Sequence, residues 1–204
     1  MLSGHFVEIN DFLLFIHPEV YPPSEDTFLI MKVLIDLPYA EGEKLALDMG
    51  CGCGILSLIL AKKNYKVVGV DVNPYAIRCA TINAYLNGLK SKVRFLLSDL
   101  FSNVEGVFDL IVFNPPYVPR SEHYDDSFFM RSIESRPHLI LRFIEQLPSH
   151  LAEEGEAFIL TSDLVDYDEV KSKAREAGLL LDIVLEDKLP WETLFVIRAI
   201  RRTC

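Results

Sequence analysis

Asp48-Met49-Gly50-Cys51-Gly52-Cys53-Gly54 sets three glycines on alternate positions, the first of them two residues after an acid. Glycines in such a turn let the chain double back tightly and let a ligand approach the backbone. A helix starting there would add free N–H groups. The dinucleotide fingerprint G-x-G-x-x-G needs its third glycine one residue later, where Ile55 stands. That spacing disfavours a pyrophosphate, and Asp48 just ahead of it suits a cation. Asp71 closes a Val-rich run and could accept both hydroxyls of a ribose. Asp99 could accept from an adenine amino group. Both Asp71 and Asp99 could also be plain loop caps. A ligand combining ribose, adenine and positive charge fits the three acids together better than a dinucleotide does, and S-adenosylmethionine combines them.

Asn114-Pro115-Pro116-Tyr117 forms a second constellation, closing the apolar run Leu110-Ile111-Val112-Phe113. Two prolines remove two backbone donors and stiffen the exit from the strand. The Asn114 side-chain oxygen and the Pro115 carbonyl remain as acceptors. A planar NH₂ group can donate one hydrogen bond to each, and Tyr117 offers a flat face for stacking. Read blandly, the same four residues are a strand stop with an aromatic anchor. No other nucleophile or metal set stands out. His5, His17, His123, His138 and His150 form no constellation, and Cys51 and Cys53 have neither zinc spacing nor a second pair. Cys79 is expected to pack on a helix face.

The elements that must position these residues follow from pattern. Residues 6–16 read as a hairpin or extended arm broken at Asn10 and Asp11. Ser24, before Glu25 and Asp26, is a good helix start with a capping hydroxyl and acids at the positive dipole end. From residue 44 strand and helix alternate: strands at 44–49, 66–71, 92–97 and 107–113, helices at 55–63 and 74–87. Residues 138–151 read as mostly helical, kinked or ended by Pro148. A strand at 156–161, a helix at 167–177 and a closing strand pair at 179–186 and 194–201 complete the chain. Alternating βα units imply an α/β fold with a mostly parallel sheet and helices on both faces. The short last connection suits an antiparallel final strand. One domain over 1–204 is the economical organisation, with an arm and helix at 1–43 and a Rossmann-like core at 44–204.

The 204 residues carry 20 Lys plus Arg against 30 Asp plus Glu, a net charge of −10 that makes nucleic acid an improbable partner. Hydrophobic residues reach 50%, which excludes a disordered chain. Neither a membrane span nor a signal peptide is legible, so a soluble cytoplasmic protein is expected. Mean hydropathy is +0.21, from a Leu/Ile-rich core or from an apolar face that a partner covers.

In the order of glycine turn, Asp71, Asp99 and Asn-Pro-Pro-Tyr, the chain resembles class I S-adenosylmethionine-dependent methyltransferases that modify a planar nitrogen. Within them it resembles the HemK/PrmC group, which methylates the glutamine of the Gly-Gly-Gln motif in peptide release factors. Tyr21-Pro22-Pro23-Ser24-Glu25-Asp26-Thr27-Phe28 and Trp191-Glu192-Thr193-Leu194 are similar to stretches of the archaeal and eukaryotic branch. The resemblance implies a seven-stranded sheet and no extra N-terminal helical domain. It implies a cofactor site at Thr27, Asp48, Gly50, Gly52, Gly54, Asp71, Asp99 and Leu100. It implies an acceptor site at Asn114, Pro115, Pro116 and Tyr117, with no metal. One departure is Phe129-Met130-Arg131-Ser132-Ile133-Glu134-Ser135-Arg136, where the family often has a Gly-rich stretch that helps cover the active site. The branch also works with a small zinc-binding activator protein, for which the apolar strand at 92–97, expected at a sheet edge, is the candidate surface. Three alternatives remain: a nucleobase amino group as acceptor, another protein side chain such as lysine, and a non-catalytic scaffold.

Overall fold

In the computed structural model, which describes residues 3–118, 127–131 and 138–202, the chain opens with a hairpin. β1 (His5–Ile9) and β2 (Phe12–Ile16) pair antiparallel, and the turn residues Asn10 and Asp11 have φ of 46° and 64°. Asn and Asp tolerate that left-handed region, and two such residues in a row match the twist of the flanking strands. α1 (Glu25–Asp36) follows the prolines. Ser24 sits at its N-cap, but the expected capping bond is not made. The Ser24 hydroxyl donates to the Glu25 carboxylate, and the Thr27 N–H donates to the Asp26 carboxylate at 2.6 Å. An acid inside the first turn has taken an amide that the cap hydroxyl would otherwise reach.

β3 (Leu45–Met49), α2 (Ile55–Lys62), β4 (Lys66–Asp71), α3 (Pro74–Leu86), β5 (Val93–Leu97) and β6 (Phe108–Phe113) come next. α3 starts as its sequence predicts, with Pro74 in the first turn and Asn73 Oδ1 accepting the Tyr75 N–H at 2.9 Å. After α4 (Phe128–Arg131) and α5 (Leu139–Gln146), the helix expected through residue 151 stops early. Pro148 tightens the chain into a 3-10 turn, Leu147–Ser149, and β7 (Leu151–Ser162) begins at once. β7 is longer than the 156–161 expected because its pairing with β6 jumps from Phe108↔Leu151 to Leu110↔Glu156. The residues bulged out between carry Glu153 and Glu154, which mimic a loop in the sequence. α6 (Tyr167–Glu176), β8 (Leu179–Lys188) and β9 (Thr193–Arg201) complete the fold.

The main sheet has seven strands in the order β5-β4-β3-β6-β7-β9-β8. β9 runs antiparallel to both neighbours and the other pairings are parallel, as expected. One face packs α1, α2 and α3 through residues such as Leu34, Leu58 and Val112, and the other packs α5 and α6 through Ile111, Phe143 and Val170. α2 is buried from Ile55 to Ala61, because the sheet lies on one side of it and α1 and α3 lie beside it. Among the described residues no helix is long and apolar enough to cross a membrane.

The hairpin stands apart from this sheet and packs on α3. Two asparagines one helical turn apart hold it. Asn83 accepts the Phe15 N–H at 2.7 Å and donates to the Phe15 carbonyl at 2.9 Å and the Cys53 carbonyl at 2.8 Å. Asn87 makes the matching pair of bonds with Leu13, at 3.1 and 2.8 Å. The chain moves outward from β3 to β5 and returns to β6 on the other side of β3. The crevice beyond the strand ends at that reversal is where open α/β sheets take ligands.

Candidate active site

The crevice is occupied by a cleft that the glycine turn, Asp71 and Asp99 enter from one side and Asn114 to Tyr117 from the other. Gly52 has φ of 53°, and a Cβ added there would meet no protein atom within 4 Å. The backbone at Gly52 is therefore bare toward the cleft. Gly54 serves packing: at φ of 87°, an added Cβ would lie 2.8 Å from the Ala80 Cβ on α3. Asp71 Oδ2 accepts the Gly52 N–H at 2.9 Å and Oδ1 accepts the Asn73 N–H at 2.8 Å. These bonds fix the carboxylate between two turns and leave each oxygen a lone pair. Burial raises the Asp71 pKa against these stabilising bonds.

Asp48 does not line the cleft. Its side chain is fully buried, and Oδ2 accepts the Ser57 N–H at 2.9 Å and the Ser57 hydroxyl at 2.6 Å. The N-cap of α2 is Gly54, which has no capping side chain. Asp48 reaches over from the sheet and supplies the missing cap, at the end of the helix that favours an anion. Burial outweighs the Ser57 bonds and pushes its carboxyl up to about 7. The expectation of an acid facing a bound cation is thus corrected: Asp48 and Gly54 shape the turn from behind.

Asp99, Leu100 and Thr27 all line the cleft. Asp99 is half-exposed and pairs with Arg142 of α5 at 3.5 Å. Leu100 is held at φ of 48° with its carbonyl accepting the Ser98 hydroxyl at 2.7 Å. Thr27 is buried and its hydroxyl donates to Asp26 at 3.2 Å.

On the opposite wall, Asn114, Pro115, Pro116 and Tyr117 lie together as expected. Asn114 Nδ2 donates to Asp26 Oδ2 at 3.1 Å. Its Oδ1 is buried without a donor among the described residues. Asp26, read in the sequence only as a favourable charge at a helix start, is 6% exposed and belongs to this wall. Glu192, in sequence only one residue of the Trp191–Leu194 stretch, acts on the same wall. Its charge acts on Tyr117 and Asp26, and its Oε2 is also buried without a donor among the described residues. The signal for Asp26 was its place next to Thr27; nothing local marks Glu192. Burial pushes the Tyr21 phenol up to about 12 and raises that of Tyr117 further, so both stay protonated.

The residues present fit S-adenosylmethionine. The described lining holds three carboxylates, Asp26, Asp71 and Asp99, and no Lys or Arg. Such a lining opposes phosphate and suits a cation bearing a ribose. Elsewhere, His17 stacks on Tyr75 and His150 on Phe101, at centroid distances of 4.5 and 4.3 Å. His138 is the N-cap of α5, and Cys79 is buried on α3 with its thiol toward the Phe15 carbonyl. His123 and the stretch 132–136 lie outside the described residues; Phe129, from the same divergent stretch, packs on Tyr21 at 6.4 Å.

Comparison with known proteins adds five findings. The chain matches the methyltransferase small domain family over residues 27–179. It is 41% identical over 200 residues to a Methanocaldococcus jannaschii protein provisionally named a protein N5-glutamine methyltransferase, covering 96% of this chain and 98% of that one. It is 39% identical over 140 residues to the release factor glutamine methyltransferase of Leptospira interrogans, 65% of this chain and 48% of the relative. It is 32% identical over 152 residues to the ribosomal RNA small subunit methyltransferase C of Aeromonas hydrophila, 74% of this chain and 40% of the relative. The chain thus spans nearly all of the first relative and less than half of the other two. Among solved structures, its fold is similar to that in the E. cuniculi Mtq2-Trm112 complex, described as responsible for methylation of the eRF1 translation termination factor. That match has a TM-score of 0.63 at 24% identity, over 91% of this chain and 99% of the other.

Proposed function

This chain belongs to the methyltransferase small domain family and is a methyltransferase, and from that premise we propose that it methylates a carboxamide nitrogen, the glutamine of the Gly-Gly-Gln motif in a peptide chain release factor. The observation that carries the acceptor class is Asn114 Oδ1, a buried acceptor with no donor among the described residues. An unmet buried acceptor costs about 1–3 kcal/mol, and a planar NH₂ delivered by a substrate would remove that cost. The release-factor reading is supported by the names of the Methanocaldococcus and Leptospira relatives.

S-adenosylmethionine would supply an electrophilic methyl group on a sulfonium. Asp71 and the bare backbone at Gly52 would hold its ribose side, with Asp99 and Leu100 at the adenine and Thr27 near the reacting end. A carboxamide nitrogen is a poor nucleophile because its lone pair is delocalised. Asn114 Oδ1 and the Pro115 carbonyl would take its two N–H bonds and fix the direction of that lone pair. Positioning of this kind can supply roughly 7–11 kcal/mol of a barrier. Positive charge developing on the amino group is favoured by the same two acceptors, and Tyr117, half-buried beside them, would close over the amide plane.

An exocyclic amino group of a nucleobase offers the same planar NH₂, and the Aeromonas relative favours that second reading. Methyl-labelled cofactor decides between them. Release factor carrying Gly-Gly-Gln should be labelled, the Gly-Gly-Ala version and ribosomal RNA should not; label on RNA alone would replace the first reading by the second.

The proposal extends to a small activator protein, zinc-binding by the resemblance, at the β5 edge. Among the described residues β5 has β4 as its one sheet neighbour, Leu97 is 52% exposed, and α3 beside it exposes Tyr85 and Leu86. An apolar edge of this kind invites a partner unless covered, and the hairpin packs on α3 instead. Sedimentation should show association with such a partner or with a second copy; a soluble monomer at high concentration that binds neither would remove the idea.

A further inference from the structure

We propose that Asp26 is a positioning residue that sets which end of the Asn114 amide meets the substrate: by accepting Nδ2, it leaves Oδ1 as the free acceptor. The proposal rests on the amide-clamp reading above and adds to it the group that makes the clamp an acceptor.

The two ends of an asparagine amide have nearly the same shape and opposite hydrogen-bonding sense. A side chain free to rotate about its last bond would offer a substrate NH₂ the wrong end for part of the time. Two groups stand next to Asn114 Nδ2. The Thr27 hydroxyl, at 3.5 Å, gives its one proton to Asp26 and so accepts from Nδ2, weakly and in the same sense as the carboxylate. The Asp26 carboxylate, at 3.1 Å, can only accept while it is ionised. It therefore selects Nδ2, and Oδ1 is turned away with no donor among the described residues. Asp26 cannot easily move to suit the other orientation. It is 6% exposed, and its second oxygen is tied to the Thr27 N–H at 2.6 Å and the Thr27 hydroxyl at 3.2 Å. The same short segment that begins α1 thus meets the end of β6 within one wall of the cleft.

Selection depends on charge. A protonated Asp26 would carry a donor and could match Oδ1 as well as Nδ2. The charged groups acting on it among the described residues are the acids Glu25, on its own helix, and Glu192, from the β8–β9 connection; the phenols of Tyr21 and Tyr117 also face it. Burial raises the pKa of Asp26, while the bonds from Asn114 and Thr27 oppose the rise. Loss of the selected orientation is expected at a higher pH than that at which an ordinary exposed carboxylate takes up its proton.

Two independent readouts test this. In protein labelled with ¹⁵N at asparagine, the Asn114 side-chain NH₂ resonance is identified by its absence in Asn114→Ala. Its shift should titrate with an inflection above the ordinary carboxylate range, and Asp26→Asn should abolish that inflection. A flat titration in the wild-type protein overturns the proposal whatever the acceptor proves to be. The second readout is kcat with saturating cofactor and Gly-Gly-Gln release factor. Asp26→Asn should lose at least about tenfold in kcat at saturating cofactor, since a misdirected dipole at the reacting group is costly. The exchange Asp26→Asn with Asn114→Asp restores one donor and one carboxylate to the contact and should recover part of the loss. Full activity in Asp26→Asn, or an exchange variant no better than Asp26→Asn alone, overturns the proposal. Failure of the clamp reading itself has a different signature, namely unchanged kcat in Asn114→Ala.

Discussion

The glycine turn, Asp71 and Asp99 each lie within a few residues of the strand that carries them, whereas Asn114 meets Asp26 across 88 positions of the chain. The cofactor wall is a row of neighbouring βα turns: Asp71 takes one backbone donor from its own turn, at Asn73, and one from the adjacent glycine turn, at Gly52. The acceptor wall is a meeting of distant segments: the start of α1, the end of β6 and the connection between β8 and β9. Local order builds the first wall, and it exists only in part as sequence motif. Tertiary packing builds the second, so its geometry is hostage to contacts far from the chemistry.

That contrast predicts separable failures. The largest effect is expected at Asn114→Ala, which should lower methyl transfer at saturating cofactor by at least about a hundredfold, as removal of one preorganised polar group at a reacting centre does. Calorimetric affinity for S-adenosylmethionine should be unchanged, and a parallel loss of affinity would erase the distinction between the walls. Asp71→Ala should do the reverse, weakening the cofactor by about 1.5–3 kcal/mol, the size of a lost charge-assisted hydrogen bond. Because the Gly52 and Asn73 amides lose their acceptor too, its melting temperature should also fall; unaltered affinity would sink the ribose assignment.

Asn83 is the seam, since it bonds both the hairpin and the carbonyl of Cys53 in the glycine turn. Asn83→Ala leaves buried partners unmet and should cost about 1–3 kcal/mol in denaturant unfolding, with affinity and kcat both reduced. A change in one alone would show that the walls are coupled elsewhere.

A further effect concerns Asp48, whose folded carboxyl sits at about 7, above an unfolded aspartate. The folded state therefore binds the extra proton. The contribution to stability is full below the ordinary carboxylate range and is lost as pH rises through about 7. Urea midpoints should decline between about pH 5 and pH 8, and Asp48→Asn should flatten the decline. An equal slope in the variant would assign the titration to another group.

How much could be read from the sequence follows the same division. The order of strands and helices, the edge position of β5 and the antiparallel β9 follow from apolar runs, prolines and connection lengths, which act locally. Most residues expected in the cleft are there. Asp48 was misplaced because its position just before the glycine turn does not reveal which way a strand residue points. In the sheet it lies on the α2 face and caps a helix that has glycine where a cap should be. β7 was cut short because its bulge carries charge, and Asp26 was read by its own helix and not by Asn114, its neighbour only in space.

The paired asparagines of α3 also govern how fast the amides of β2 exchange with solvent. β2 is paired on one side with β1, and on its other side Leu13 and Phe15 donate to side-chain amides on a helix. β2 therefore lacks the open row of donors that an outer strand usually shows to water and to other chains. Its amides should exchange with solvent only when α3 also opens, which makes two elements separated by most of the first βα units a single cooperative unit. Deuterium uptake at Leu13 and Phe15 should then be as slow as in α3, and in Asn87→Ala uptake at Leu13 should rise well before uptake at Phe15.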